Sequence, residues 1–101
     1  MIRGEVWWYE DGDKRRPACI LTRNAAIPVL SHLLIAPATT TIRGIPTEVE
    51  LTADDGMPRA CVLSLDNVRV VSKARLIAPI ARLSQPRMHE ICTALAVAVD
   101  C

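Results

Sequence analysis

The period of the apolar pattern changes once along the chain, at Ser84, and that change limits the folds open to it. Before Ser84 the apolar residues come in short β-type stretches separated by turn signals. After it, Met88, Ile91, Cys92, Leu95, Ala96 and Val99 recur at helical spacing, a face expected to pack on a sheet. Ser84 is a good N-cap, and Pro86 lies just inside the helix start, where its missing N–H costs little. Short strands followed by one helix predict a mainly β chain: a small antiparallel barrel or curled sheet with the C-terminal helix laid against it. No repeat or linker divides residues 1–101, so a single domain is expected, and a hydrophobic content of 50% suffices for its core.

The strands follow from local chemistry. Val6-Trp7-Trp8-Tyr9 has the aromatic and β-branched content of a first strand, and Glu10-Asp11-Gly12-Asp13 is a turn with a strong hairpin signal. Ala18 to Leu21 is a second strand with Pro17 at its mouth. Asn24 to Val29 reads as a loop with a short helical turn. His32 to Ile35 is a third strand, and Pro37 predicts a bulge or an edge after it, because proline cannot donate to a ladder. Thr47 to Leu51 alternates polar and apolar residues, Ala53-Asp54-Asp55-Gly56 is a turn, and Ala60 to Leu65 and Val68 to Ser72 are strands around a break at Asp66-Asn67.

Charge and composition exclude several functions. Twelve basic and eleven acidic residues leave a net charge of +1 with no polybasic tail, which rules out a histone-like coat for DNA. No apolar run approaches the length of a membrane span, and Met1-Ile2-Arg3-Gly4-Glu5 lacks the apolar core of a signal peptide, so a cytoplasmic protein is expected. Cys19, Cys61, Cys92 and Cys101 form no C-x-x-C pair, and His32 and His89 stand in no zinc spacing with them. Cys19, Cys61 and Cys92 are expected to be small buried apolar residues and Cys101 a free terminal thiol. Motifs for a nucleophile elbow, a phosphate-binding loop, a zinc protease or a dinucleotide fold are missing.

One constellation carries chemistry. Lys14-Arg15-Arg16-Pro17 puts three cations where a turn meets a strand, which is either a solvated basic turn or an anion site. Thr39-Thr40-Thr41 offers hydroxyls after the disturbed strand, for capping or for binding. Guanidinium forks and short neutral donors together are what a phosphate needs. No paired carboxylates suggest a magnesium cage, so phosphate chemistry without a metal or other cofactor is expected.

Arg3-Gly4-Glu5-Val6-Trp7-Trp8 and Arg16-Pro17-Ala18-Cys19-Ile20-Leu21 closely resemble the opening of the MazF/PemK toxins. The likeness continues through Ile35 to Ile42, Pro46 to Leu51, Cys61 to Arg69, Ser72 to Leu76 and Arg82 to Ser84, covering essentially the whole chain in order. The resemblance implies a CcdB-like, SH3-like barrel with a C-terminal helix, usually homodimeric. It implies a toxin of a toxin–antitoxin module that cuts single-stranded RNA at specific sequences without a metal. In such chemistry the ribose 2′-OH attacks the adjacent phosphate and leaves a 2′,3′-cyclic phosphate and a 5′-OH, so DNA is not a substrate.

Residue by residue, the resemblance makes Arg16 the catalytic arginine, as electrostatic stabiliser first and proton shuttle second, and Thr39 the catalytic threonine. Lys14, Arg15, Asn24, Thr40, Thr41, Asp66 and Asn67 are the expected RNA-binding residues, Asp66-Asn67 matching a base-reading pair where the local alternative is an ordinary Asx turn. The loop between the first two strands is shorter than in many relatives, where it supplies a carboxylate near the arginine, and Asp11 or Asp13 is the substitute here. Ser64 stands where some relatives carry an arginine. The implied partner is a cognate antitoxin of the MazE kind, threading a disordered acidic tail across the basic groove. The competing reading is a CcdB-like toxin that docks on a topoisomerase without cleaving RNA. The ending Val99-Asp100-Cys101 lacks the Trp-Gly-Ile tail of that group.

Overall fold

The structure is a computed structural model that describes residues 1–100; the thiol expected at Cys101 lies outside the described residues. Among the described residues seven strands precede one α-helix: β1 (Glu5–Asp11), β2 (Lys14–Ile20), β3 (His32–Thr39), β4 (Glu48–Leu51), β5 (Cys61–Ser64), β6 (Arg69–Ser72), β7 (Leu76–Arg82) and α1 (Gln85–Val99). The sheet runs β4-β5-β3-β2-β1-β7, with β6 also on β3, and all its pairings are antiparallel. The sheet is curled rather than closed, and the mainly β architecture with its C-terminal helix is the expected one.

The two faces bury different cores. One collects Val6, Cys19, Leu21, Ala36, Leu63, Ile91 and Ala94, and the other Tyr9, Ala18, Ile20, Leu33, Ile35 and Leu76. β1, β2 and β3 feed both because their side chains alternate. Asp11 pairs with Lys14, so Gly12 and Asp13 alone form the hairpin loop, with Gly12 at φ +64°.

Two prolines decide where this sheet splits. Pro17 lies inside β2 rather than at its mouth, opposite Trp8 of β1. Leu21 N–H donates to Leu34 O at 2.9 Å, and strand alternation points the nitrogens of Cys19 and Pro17 toward β3 as well. Pro17 has no hydrogen to give there, and the β2–β3 register stops at Ala18↔Pro37 while β1–β2 pairing continues to Lys14. Pro37 faces the other way. Leu34 N–H points to β2, donating to Thr22 Oγ1 at 2.8 Å, so alternation turns the Pro37 nitrogen away from β2. There the outer partner of β3 changes from β6, at His32 to Ile35, to β5, at Ala38 and Thr39. β3 runs through Pro37 without the bulge or edge expected there; only its outer partner changes.

Three expectations are corrected. β7 was not foreseen: it carries Pro79 at its centre, its pairing with β1 shifts register twice, and as an outer strand it tolerates the lost donor. The helix buries Ile91 and Ala94, with Met88, Leu95 and Ala98 packed beside them, and it exposes Cys92, Ala96 and Val99. Alanine at 94 and 98 lets the helix seat on that neighbouring stripe. Cys92 is therefore not a core residue, and Arg3 Nη2 donates to its Sγ at 3.2 Å. Cys19 and Cys61 are buried as expected; burial pushes the Cys19 thiol up to about 12 against the lowering charge of Arg3. The helix start is as read, with Ser84 Oγ accepting from Arg87 N–H. Among the described residues no helix is long and apolar enough to cross a membrane.

Candidate active site

Where Pro17 parts β2 from β3, a cleft of about 650 Å³ opens. Its walls include Lys14, Arg15, Arg16 and Pro17 from β2 and Ala38 to Thr41 from the end of β3 and beyond. Trp8 lines it from β1, and Met57, Pro58, Arg59 and Cys61 close the far side. Four cations and three threonine hydroxyls face this space, and no carboxylate is among the lining residues. In a chain of net charge +1 this is a concentrated basic site.

Arg16 precedes Pro17 on β2 and Thr39 ends β3, so the two stand on the strands that part there rather than at paired positions. Both line the cleft and neither is buried in the core. Thr39 Oγ1 accepts from Thr41 N–H at 3.1 Å, which bends the chain after β3 and still leaves the hydroxyl hydrogen available. The sequence had suggested Asp11 or Asp13 as the carboxylate near the arginine; it is Asp11, with Oδ2 at 3.4 Å from Arg16 Nε.

The far wall is built by a latch. Thr52 and Asp55 form a reciprocal capping box around the short turn Ala53–Asp55, and Asp55 Oδ1 accepts from Arg87 Nε at 3.0 Å. Burial raises the Asp55 pKa, but the Thr52 N–H and the hydrogen bond and charge of Arg87 outweigh it and hold the carboxyl below its ordinary value of 3.8. Gly56 follows at φ +90°, where an added Cβ would sit 3.0 Å from Ala81 Cβ. Both constraints require glycine, and the chain then enters Met57-Pro58-Arg59. Burial, with a further push from the Asp55 charge, raises the Cys61 pKa and keeps it a neutral thiol in the cleft wall.

Of the residues singled out in the sequence, Lys14, Arg15, Arg16, Thr39, Thr40 and Thr41 converge here. Asn24 does not: its Oδ1 accepts from Arg3 N–H at 2.7 Å beyond the opposite end of β2. Asp66 and Asn67 also lie outside the cleft lining. Asp66 Oδ2 accepts from Thr47 Oγ1 at 2.5 Å, and Asn67 Nδ2 donates to Ser64 Oγ at 2.8 Å. Both residues are exposed, and these bonds engage one side-chain atom of each. Sequence reasoning missed Trp8 and Arg59. The signal for Trp8 was present, since counting back from a two-residue loop at Gly12-Asp13 pairs Trp8 with Pro17.

Residues 2–99 match the model of a family described as PemK-like, MazF-like toxin of type II toxin–antitoxin system. A probable endoribonuclease of Mycobacterium tuberculosis, MazF5, is 52% identical over 101 residues, covering 98% of this chain and 93% of that protein. The solved M. tuberculosis toxin MazF-mt6 superposes with a TM-score of 0.89 at 33% identity, covering 95% of this chain and 96% of that one. A mycobacterial endoribonuclease solved in complex with its cognate antitoxin gives a TM-score of 0.91 at 28% identity, covering 99% of this chain and 95% of that one.

Proposed function

The chain belongs to the PemK-like, MazF-like toxins of type II toxin–antitoxin systems, and from that premise we propose that its Arg16–Thr39 cleft is the catalytic site of an endoribonuclease. The protein is the toxin of such a module, and its substrate is single-stranded RNA. The carrying observation is the cleft itself, lined by Arg16 and Thr39 together with three further cations and no carboxylate.

The chemistry is transesterification. The ribose 2′-oxygen gives up its proton and attacks the adjacent phosphorus, a pentacovalent phosphorane forms, and the bond to the 5′-oxygen breaks as that oxygen takes up a proton. Negative charge grows on the equatorial oxygens. The Arg16 guanidinium binds two of them through parallel N–H donors, and the Thr39 hydroxyl adds a neutral donor. Arg16 is a stabiliser before it is a base, because an arginine pKa above ~12 resists deprotonation. Lys14, Arg15 and Arg59 neutralise flanking phosphates, Thr40 and Thr41 donate to them, and the Trp8 ring gives a base a surface to stack on. No step in this scheme calls for a metal or other cofactor.

The active species is a homodimer acting in the cytoplasm, and a cognate antitoxin with an acidic tail silences it by occupying the same basic cleft. Docking on a topoisomerase is not favoured, since that activity makes no use of an arginine and a threonine brought into one basic cleft.

Cleavage of a long transcript tests the proposal. The expected products carry a 2′,3′-cyclic phosphate and a 5′-OH, a DNA copy stays intact, and Arg16→Ala loses cleavage by roughly 100-fold or more while its circular dichroism is unchanged. Near-normal turnover by Arg16→Ala would remove this cleft from the chemistry.

A further inference from the structure

A second guanidinium stands beside Arg16, outside the cleft and unused by the mechanism above. Arg69 opens β6, which pairs with β3 at Ile35, and its side chain reaches the β1–β2 hairpin. Its Nη1 donates to Tyr9 Oη at 3.0 Å and lies 4.0 Å from Asp11 Oδ1. Asp11 offers its other oxygen to Arg16 Nε at 3.4 Å. One carboxylate therefore bridges two guanidiniums brought together from β2 and β6. Tyr9 is buried and sits opposite Arg16 in the hairpin register, so its hydroxyl fixes Arg69 from a rigid base.

We propose that Arg69 is a second RNA phosphate-binding residue, and that the Asp11 carboxylate is the internal anion occupying the Arg16–Arg69 seat when RNA is absent. This rests on the cleft being the RNA site and says where the strand goes as it leaves that cleft. A phosphodiester and a carboxylate present the same thing to two guanidiniums: paired oxygens sharing negative charge. The bridge is weakly held. Both distances are long for charge-assisted bonds, and the Arg16, Asp11 and Arg69 side chains are 40%, 35% and 46% exposed. An exposed carboxylate at such distances exchanges readily for a stronger anion. Tyr9 keeps Arg69 in place during the exchange.

Kinetics of RNA cleavage against salt concentration test this in wild type, Arg69→Gln, Arg69→Lys, Asp11→Asn and Arg82→Gln. Arg82, exposed and set across from Glu5 in the β1–β7 register, controls for loss of one surface charge. Arg69→Gln should raise KM about tenfold, keep kcat within twofold and lower the slope of log affinity against log salt by about 0.7. Arg69→Lys should recover most of the salt slope. Asp11→Asn should lower KM about threefold by removing the competing anion. Anisotropy with a non-cleavable 2′-O-methyl oligonucleotide should rank the variants in the same order. If the enzyme cleaves RNA and Arg69→Gln matches Arg82→Gln, this inference fails alone. It also fails if Arg69→Gln lowers kcat and leaves KM unchanged, because Arg69 then only props Arg16. A wild type that neither cleaves nor binds RNA overturns the nuclease reading and this one together.

Discussion

Two arginine–aspartate pairs flank the same cleft, and they differ in kind. Arg87 and Asp55 meet at 3.0 Å, with the Asp55 side chain 10% exposed and a second bond from Thr52 N–H at 2.8 Å. Arg16 and Asp11 meet at 3.4 Å on side chains 40% and 35% exposed. The first pair is short, sheltered and reinforced, so it works as a fastener between α1 and the Met57–Arg59 wall. The second is long and wet, so it adds little to stability and leaves the guanidinium available. Burial and reinforcement, not residue type, decide which arginine is tied down and which stays available.

Removing each arginine should separate these roles. Arg16→Ala should cost cleavage roughly 100- to 1,000-fold with a melting temperature within about 1 °C of wild type. Arg87→Ala should do the reverse. It strands a largely buried carboxylate and removes a charge-assisted bond, a loss of about 2 kcal/mol, or roughly 8 °C in melting temperature for a domain of this size. Its cleavage rate well below that temperature should stay within a few-fold. Equal effects of the two changes on melting temperature would erase the distinction.

Much of this was legible in the residues. The helix boundary at Ser84, the hairpin at Gly12 and the convergence of Arg16 with Thr39 all rest on local rules or on family blocks that the sequence carries intact. What was not legible depends on pairing between distant segments. β7 was hidden because Pro79 and two register shifts spoil the alternation that marks a strand. The Asp55–Arg87 latch joins residues 32 apart in sequence, and no periodicity reports it. The helix face was read one position away because Cys92 and Ala96 are as apolar on paper as Ala94 and Ala98. The local partners of Asp66 and Asn67, Thr47 and Ser64, are likewise neighbours that only the fold supplies.

Acid should expose the latch more gently than mutation does. The Asp55 carboxyl is held below its ordinary value of 3.8, so it binds its proton less readily in the folded chain than in the unfolded one. Its contribution is complete above the unfolded value and is lost as pH falls through the lower folded value. Urea midpoints taken from pH 6 downward should therefore fall in wild type as the carboxyl protonates. They should fall less steeply in Asp55→Asn, which lacks the group. Parallel curves for the two proteins would mean that the pair is not linked to folding.

Arg59 carries the smallest expectation and bears most directly on where the site ends. It is fully on the surface side of the wall that the latch fixes, and it joins Lys14 and Arg15 around the cleft from the opposite bank. One reading makes it an ordinary solvated cation after Pro58. In that case Arg59→Gln changes neither KM nor its salt dependence. The geometry favours the other reading, because the turn that presents Arg59 is held by a capping box, a glycine at φ +90° and a salt bridge. A backbone fixed just before Arg59 brings that side chain to a flanking phosphate at reduced ordering cost. Arg59→Gln should then raise KM two- to threefold, leave kcat unchanged and reduce the salt slope by about 0.7, one counterion's worth on a single strand. Combining it with Arg87→Ala sharpens the point. If the latch positions Arg59, loosening the wall should erase most of the Arg59→Gln effect on KM, whereas two independent charges would give additive losses.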